Sequence, residues 1–176
     1  MANELKGCKG ELHAAKCDIS NEEDVVRVVK WARENLGGAD VLVNNAGVAP
    51  PCELSSFSTK DVQSILNTNI FGLCLFTREV IKDMRDRGVD DGHIFHINST
   101  SGQRICAEPT GLYVYAGSKH AIRSVSPGLV RSEIFGDGEL AEQMFTENPT
   151  LEPRDIADAL VYALSTPPHV QVCPVL

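Results

Sequence analysis

Residues 40–47 read Asp40-Val41-Leu42-Val43-Asn44-Asn45-Ala46-Gly47, and the fold turns on this stretch. Three branched aliphatic side chains in a row predict a short strand buried on both faces. The strand stops at Asn44, where amide side chains, an alanine and a glycine take over. Small residues at such an exit let a planar ligand approach the backbone, and asparagines can satisfy groups exposed at the strand end. A loop that merely contains Asn and Gly would look the same.

Helical patterns lie on either side. Upstream, Ser20-Asn21-Glu22-Glu23 has the form of a capping box, with Ser20 as N-cap and Glu23 reaching back. Val25, Val29, Ala32 and Leu36 follow at helical spacing, and Gly37-Gly38 ends the run. Downstream, one long helix is predicted from about Thr59 to Arg87, with Val62, Leu66, Leu73, Val80 and Met84 on one face. A second short strand, His93 to Asn98, leads into a loop of Ser, Thr and Gly, and Tyr113 to Arg123 begins another helix. Helix alternating with short apolar strand, without hairpin turns, predicts parallel βαβ units. Ligands of such sheets bind outside the carboxyl ends of the strands.

The 176 residues suffice for one domain, and 43% hydrophobic with 23% charged is an ordinary globular composition. A formal net charge of -8 argues against nucleic acid or an anionic membrane as main partner. The most apolar stretch, Ile70 to Phe76, falls far short of the about 20 residues that span a bilayer. Met1 to Glu11 shows no apolar export signal, and Cys8, Cys17, Cys52, Cys74, Cys106 and Cys173 form no CxxC pair. They read as reduced thiols of a cytoplasmic protein.

Two further segments fall at strand ends or on the helix beside them. Ile97-Asn98-Ser99-Thr100-Ser101-Gly102 leaves the second strand. Tyr115-Ala116-Gly117-Ser118-Lys119 puts Tyr115 and Lys119 on one helix face at i and i+4. A free tyrosine has a pKa of about 10, so proton transfer near neutrality needs a neighbouring cation to favour the phenolate. Lys119 is placed to supply it, while Ser99 could hold a substrate oxygen as Tyr115 gives or takes its proton. Of the three tyrosines, only Tyr115 has a basic residue four positions on.

Taken together, in order and in context, these segments resemble the classical short-chain dehydrogenases/reductases. Asn44-Asn45-Ala46-Gly47 looks like that family's NNAG motif, and Ser99, Tyr115 and Lys119 fall on its catalytic serine, tyrosine and lysine. Asn69, in Asn67-Thr68-Asn69-Ile70, matches the fourth catalytic member, which holds a water that relays protons to the lysine. Asp18, with Ile19 beside it, matches the acidic residue next to the adenine of the cofactor. Asn45, Ala46 and Gly47 match the loop along the cofactor. Ser126-Pro127-Gly128-Leu129-Val130 matches the segment at its nicotinamide end, implying contacts from Pro127, Gly128 and Val130. The resemblance thus implies binding of NADP, with NAD as the other option, hydride transfer, and a homo-oligomer in full-length relatives.

Asn98-Ser99-Thr100-Ser101-Gly102-Gln103-Arg104, Lys119-His120-Ala121 and Leu164-Ser165-Thr166-Pro167-Pro168-His169-Val170 look most similar to one group within the family. It contains the insect farnesol dehydrogenases and the vertebrate family member eleven, which handle apolar alcohols and keto-steroids with NADP. The stretch Arg131 to Asn148 would then be a mobile lid whose Ile134, Phe135, Leu140, Met144 and Phe145 suit an apolar substrate.

Other features read as structural. Asn69 could be a polar residue near the solvent face of its helix. His93 and His96, three apart in a strand, point to opposite faces and are no ligand pair. His120 reads as packing or a surface contact. Gly136-Asp137-Gly138-Glu139-Leu140-Ala141 fits GxGxxA in form, yet it follows no strand and its two carboxylates would repel a pyrophosphate.

Two departures from the family pattern stand out. The glycine-rich turn that binds the pyrophosphate is not found upstream of Asp18, where Gly7-Cys8-Lys9-Gly10 is no substitute. With it go the residues that choose between NAD and NADP. Ser124-Val125-Ser126-Pro127-Gly128 also follows the start of the active-site helix at once, as if roughly twenty residues of helix and strand were removed. The expected architecture is therefore α/β: a single, incomplete NAD(P)-binding domain over residues 1–176. It is a partial Rossmann fold (doubly wound parallel sheet) lacking the first βαβ unit and part of the active-site helix. Uncovered apolar faces lead us to expect poor cofactor binding and aggregation. The reading is an oxidoreductase acting with NADP(H) on an apolar alcohol or ketone. The alternative is a non-catalytic truncated splice form or incomplete gene model. A nucleotide-sugar epimerase shares YxxxK, but NNAG and the Ser-Pro-Gly segment speak against it.

Overall fold

The computed structural model describes residues 9–103, 111–122, 134, 138–147 and 149–165. Helix α1 spans Glu22–Leu36, with three acids, Glu22, Glu23 and Asp24, in its first turn to complement the helix dipole. Its N-cap is Asn21, whose side chain accepts from Asp24 N at 3.1 Å, one residue later than the capping box implies. The reason lies at Asp18. Its carboxylate takes both the backbone N–H and the hydroxyl of Ser20 (2.9 and 2.7 Å), so Ser20 belongs to the preceding turn. The helix stops where the sequence pattern puts it, at a left-handed Gly37 with Gly38 N donating to Ala32 O.

Strand β1, Val41–Asn44, pairs in parallel with β2, His93–His96, in the register Val41↔His93 to Asn44↔His96. The α/β class and the parallel pairing agree with the sequence reading. The expected burial of β1 on both faces does not hold. Asn44 faces the helical layer, with Nδ2 donating to Thr77 Oγ1 at 3.0 Å, whereas Val41 and Val43 are 43% and 42% exposed. Alternate residues of a strand point to opposite sides, and among the described residues little is packed on this second side.

Between the strands, α2 (Thr59–Leu66), a π-helical segment (Asn67–Gly72) and α3 (Leu73–Arg87) run on as the one long helix expected over Thr59 to Arg87. The expected apolar face is only partly right. Val80 and Met84 are buried, but Leu66 is exposed and Ile65, Asn69, Gly72 and Leu75 face inward. An i→i+5 turn carries an extra residue, so the inward stripe changes phase on crossing the π segment.

The lower ends of α1, α3 and β1 are clamped by charge. Asp83, buried, accepts from Arg87 Nε at 2.9 Å and from Arg33 Nη1 at 3.3 Å. Arg87 also reaches Asp40 (2.7 Å) and Ala39 O (2.8 Å). Gly38 (φ +107°) passes so close that a Cβ there would lie 2.3 Å from Arg87 Nε. After β2 comes a 3-10 turn, Thr100–Gly102, and then α4, Tyr113–His120; α5 (Glu139–Glu147) and α6 (Pro153–Ser165) follow. No residue of α6 is buried.

Candidate active site

The carboxyl ends of β1 and β2 open onto the same place, as parallel pairing requires. Asn45 and Ala46 are exposed on the loop leaving β1, and Gly47 turns inward. A Cβ on Gly47 would sit 3.5 Å from Asn69 Oδ1 and 3.8 Å from Lys119 Nζ, so this loop lies directly on those two side chains. Asn69 is 3% exposed, which removes the solvent-face alternative. Its Oδ1 accepts from Val48 N at 2.9 Å, and its Nδ2 donates to Val48 O and to Ser118 Oγ, both at 3.0 Å.

Helix α4 brings Tyr115 and Lys119 to the same spot. Lys119 is 7% exposed; its Nζ donates to Ile97 O at 2.8 Å and lies 5.7 Å from the Tyr115 ring centroid. Burial pushes its amine down from 10.5 to about 8, because the cation loses solvent without gaining a counter-charge. The Tyr115 ring is buried with Ala49 and Leu112, and Ile134 packs against this cluster. Phe145 is also buried, whereas Phe135 lies outside the described residues.

Ser99 is half-buried at the exit of β2, its Oγ accepting from Ser101 N at 3.1 Å as the cap of the 3-10 turn. Its loop is tied to α4 and to the residues just after it. Lys119 binds Ile97 O, two residues before Ser99, and Asn98 Nδ2 donates to Ile122 O. Gly102 is pressed against Lys119 O and Asn98, leaving no room for a Cβ. Asn98 Oδ1 is buried with no hydrogen-bond partner.

Asp18 is exposed, its carboxyl held below the usual range by the two hydrogen bonds from Ser20. Ile19 leans on the π segment, where a Cβ on Gly72 would strike its Cγ1 and O at 2.7 Å. So Gly47, Asn69, Tyr115 and Lys119 converge, Ser99 adjoins them through its loop, and Ile19 meets the helix that carries Asn69, with Asp18 exposed beside it. Pro127, Gly128 and Val130 lie outside the described residues.

One participant, Ser118, escapes the sequence reading, as do the partners of another, Asn44. Ser118 is a serine inside a helix, three residues after Tyr115, a pattern that by itself signals a back-bond to the i−3 carbonyl. Asn44 gives no such signal; it donates to Thr77 Oγ1 and to His96 Nδ1 (3.1 Å), and only the strand register shows that it faces His96. Burial lowers the pKa of His96, so the neutral ring accepts from Asn44, as a structural histidine would. Among the described residues no cluster of His, Cys, Asp and Glu could hold a metal. Among them, too, no helix is long and apolar enough to cross a membrane.

A buried lysine beside a tyrosine, at the carboxyl ends of parallel strands, is an arrangement able to pass a proton to a small molecule laid across the strand ends. Comparison with known proteins makes it particular. The short chain dehydrogenase family profile matches residues 1–133, and the chain belongs to that family of oxidoreductases. The chain is 38% identical to farnesol dehydrogenase of Aedes aegypti over 192 residues, covering 97% of itself and 76% of that protein. It is 36% identical to dehydrogenase/reductase SDR family member 11 of Bos taurus over 199 residues, covering 98% and 78%. Among solved structures, the closed form of a serine dehydrogenase complexed with NADP+ superposes with a TM-score of 0.78 at 29% identity, over 97% of this chain and 77% of that one.

Proposed function

We propose that this chain carries the site of an enzyme that oxidises an apolar alcohol or reduces the corresponding ketone with NADP(H). The observation that carries the reading is the buried Lys119 amine beside the Tyr115 ring, at the end of the sheet where Gly47 and Ser99 also sit. The nicotinamide cofactor supplies or takes the hydride. The residues fit its nicotinamide end: Asn45 and Ala46 are exposed at the β1 exit, and Lys119 Nζ lies within reach of anything laid along Gly47. Asp18 and Ile19 would hold the adenine end, and Pro127, Gly128 and Val130 the nicotinamide end.

The proton is the protein's task. The Tyr115 phenol gives a proton to the carbonyl oxygen in reduction and takes it from the alcohol in oxidation. Lys119, cationic below about 8, favours the phenolate. Ser99 donates its hydroxyl hydrogen to the same oxygen. Asn69 has its side chain committed to Val48 and Ser118, so a relay water would rest on its main-chain carbonyl, in a segment where the i→i+4 ladder is interrupted. Ala49, Leu112 and Ile134 beside Tyr115 favour an apolar substrate, as do the similarities to farnesol dehydrogenase and family member 11. The picture is completed by a cytoplasmic location, a single incomplete domain over residues 1–176, and oligomers in full-length relatives.

A second reading, a non-catalytic form that binds cofactor poorly, is favoured by the exposed Val41 and Val43 and by α6 without a buried residue. The test is a titration of the purified chain with NADPH and NADH, followed by quenching of its one tryptophan, Trp31, and by turnover of apolar alcohols. Saturable binding with NADPH preferred, and turnover lost in Tyr115→Phe, supports the enzyme. No binding, beside a full-length relative that binds, supports the second reading.

A further inference from the structure

Four hydrogen bonds join three separate segments into one buried chain. Val48 N donates to Asn69 Oδ1, Asn69 Nδ2 donates to Val48 O and to Ser118 Oγ, and Ser118 Oγ donates to Tyr115 O at 2.7 Å. The directions are forced. Val48 N–H must face the amide oxygen, so both Nδ2 hydrogens are committed to acceptors, one of them Ser118 Oγ. A hydroxyl that accepts from an amide keeps its single hydrogen for the Tyr115 carbonyl. Ser118 is 1% exposed, so water cannot replace a lost partner.

A serine bonded back to its own helix is common and slightly destabilising. Here the hydroxyl has a second partner on another element, and α4 needs it. The helix has eight residues and no side-chain cap at Leu112, too short to hold its place unaided. Its side chains fix it on two sides: Lys119 to Ile97 O at the exit of β2, and Ser118 to Asn69 in the π segment.

We propose that Ser118 is a positioning residue, whose hydroxyl sets α4 against Asn69 and so places the Tyr115 phenol and the Lys119 amine at the β1 exit. The inference rests on Tyr115 and Lys119 being the proton-handling pair. Without the hydroxyl, one Nδ2 hydrogen of Asn69 has no acceptor, α4 is free to shift, and water reaches Lys119 Nζ. Among the described residues the groups found about the amine are Tyr115 on its own helix, which is titratable, and Ile97 O, Gly47 and the Asn69 amide, which carry no charge.

The experiment needs no cofactor. Competitive acetylation of the whole chain with limiting acetic anhydride, read peptide by peptide in a mass spectrometer across pH 6 to 11, titrates Lys119 in place. The amine should titrate near 8 in the wild type and move toward 10.5 in Ser118→Ala. Ser118→Thr, which keeps the hydroxyl, should restore the wild-type curve. If Ser118→Ala does not fold, Ser118→Cys, nearly isosteric but a weak hydrogen-bonding group, should move the curve the same way. A Lys119 curve unmoved in Ala or Cys, or Thr behaving as Ala, overturns the proposal. Where turnover is measurable, Ser118→Ala should lower kcat about 10-fold to 100-fold with KM for the alcohol nearly constant. A chain with no turnover but a shifted Lys119 refutes the enzyme reading and leaves the positioning by Ser118 standing.

Discussion

The carboxyl end of the sheet and the outer side of the chain are built to different standards. Around Asn69, Ser118 and Lys119, polar atoms are buried and nearly all paired, and two loops and two helices lock onto one another. On β1 and α6 the reverse holds: Val41, Val43, Val161, Tyr162 and Leu164 face outward. A polar network of this kind is stable only if complete, since one missing partner leaves a buried group unsatisfied. An apolar face tolerates incompleteness at a smaller cost per residue. The chain therefore holds the side chains at the carboxyl end of the sheet in register, while among the described residues the second side of β1 and the outer face of α6 carry little packing.

The largest expected effect falls on the network side. Tyr115→Phe should lower turnover by about a thousandfold while dinucleotide affinity stays within about twofold. Equal loss of both, measured by steady-state kinetics and fluorescence titration, would remove Tyr115 from proton transfer. Next, Ile65→Ala, in a fully buried side chain behind Asn69, should cost about 3 kcal/mol in urea unfolding, whereas Val161→Ser on α6 should stay within about 0.5 kcal/mol. Similar losses at both sites would mean that α6 is covered.

The third test uses pH. Lys119 has its folded value depressed to about 8 against 10.5, so between these values the unfolded chain binds more protons and stability rises with pH. The gain is at most on the order of 3 kcal/mol, and Lys119→Met should flatten it while raising stability at pH 7. A stability curve with the same slope in both proteins would show the amine to be solvated. Smallest is a glycine pair. Gly38→Ala should cost about 1 to 2 kcal/mol, because φ is +107° and Arg87 fills the space. Gly117→Ala, on an exposed turn of α4 with nothing within 4 Å, should gain about 0.5 to 1 kcal/mol. Thermal melts of the two variants decide it.

Much of this layout is legible before any coordinates. Periodicity places α1 and the helix from Thr59 to Arg87 to within a residue or two, and short apolar runs place β1 and β2. Tyr115 and Lys119 are paired by their i, i+4 spacing on α4, and Asn69 is joined to them by the family resemblance alone. What fails does so for local reasons. Ser20 loses the capping role because Asp18, two residues earlier, competes for its hydroxyl. Leu66 is misplaced because the π segment changes helical phase, and nothing in Asn67-Thr68-Asn69-Ile70-Phe71-Gly72 marks an extra residue. Ser118 stays hidden because its partner lies 49 residues away.

The π segment also carries an evolutionary consequence. A helix advances about 100° per residue, so deleting one residue between Leu66 and Leu73 would restore a regular ladder and turn everything beyond it by that angle. Val80 and Met84 would swing off the core at the same stroke that withdraws Asn69 from Val48 and Ser118. Packing and chemistry are geared to a single tooth here, and length variation at this point would be purged whichever of the two selection acts upon.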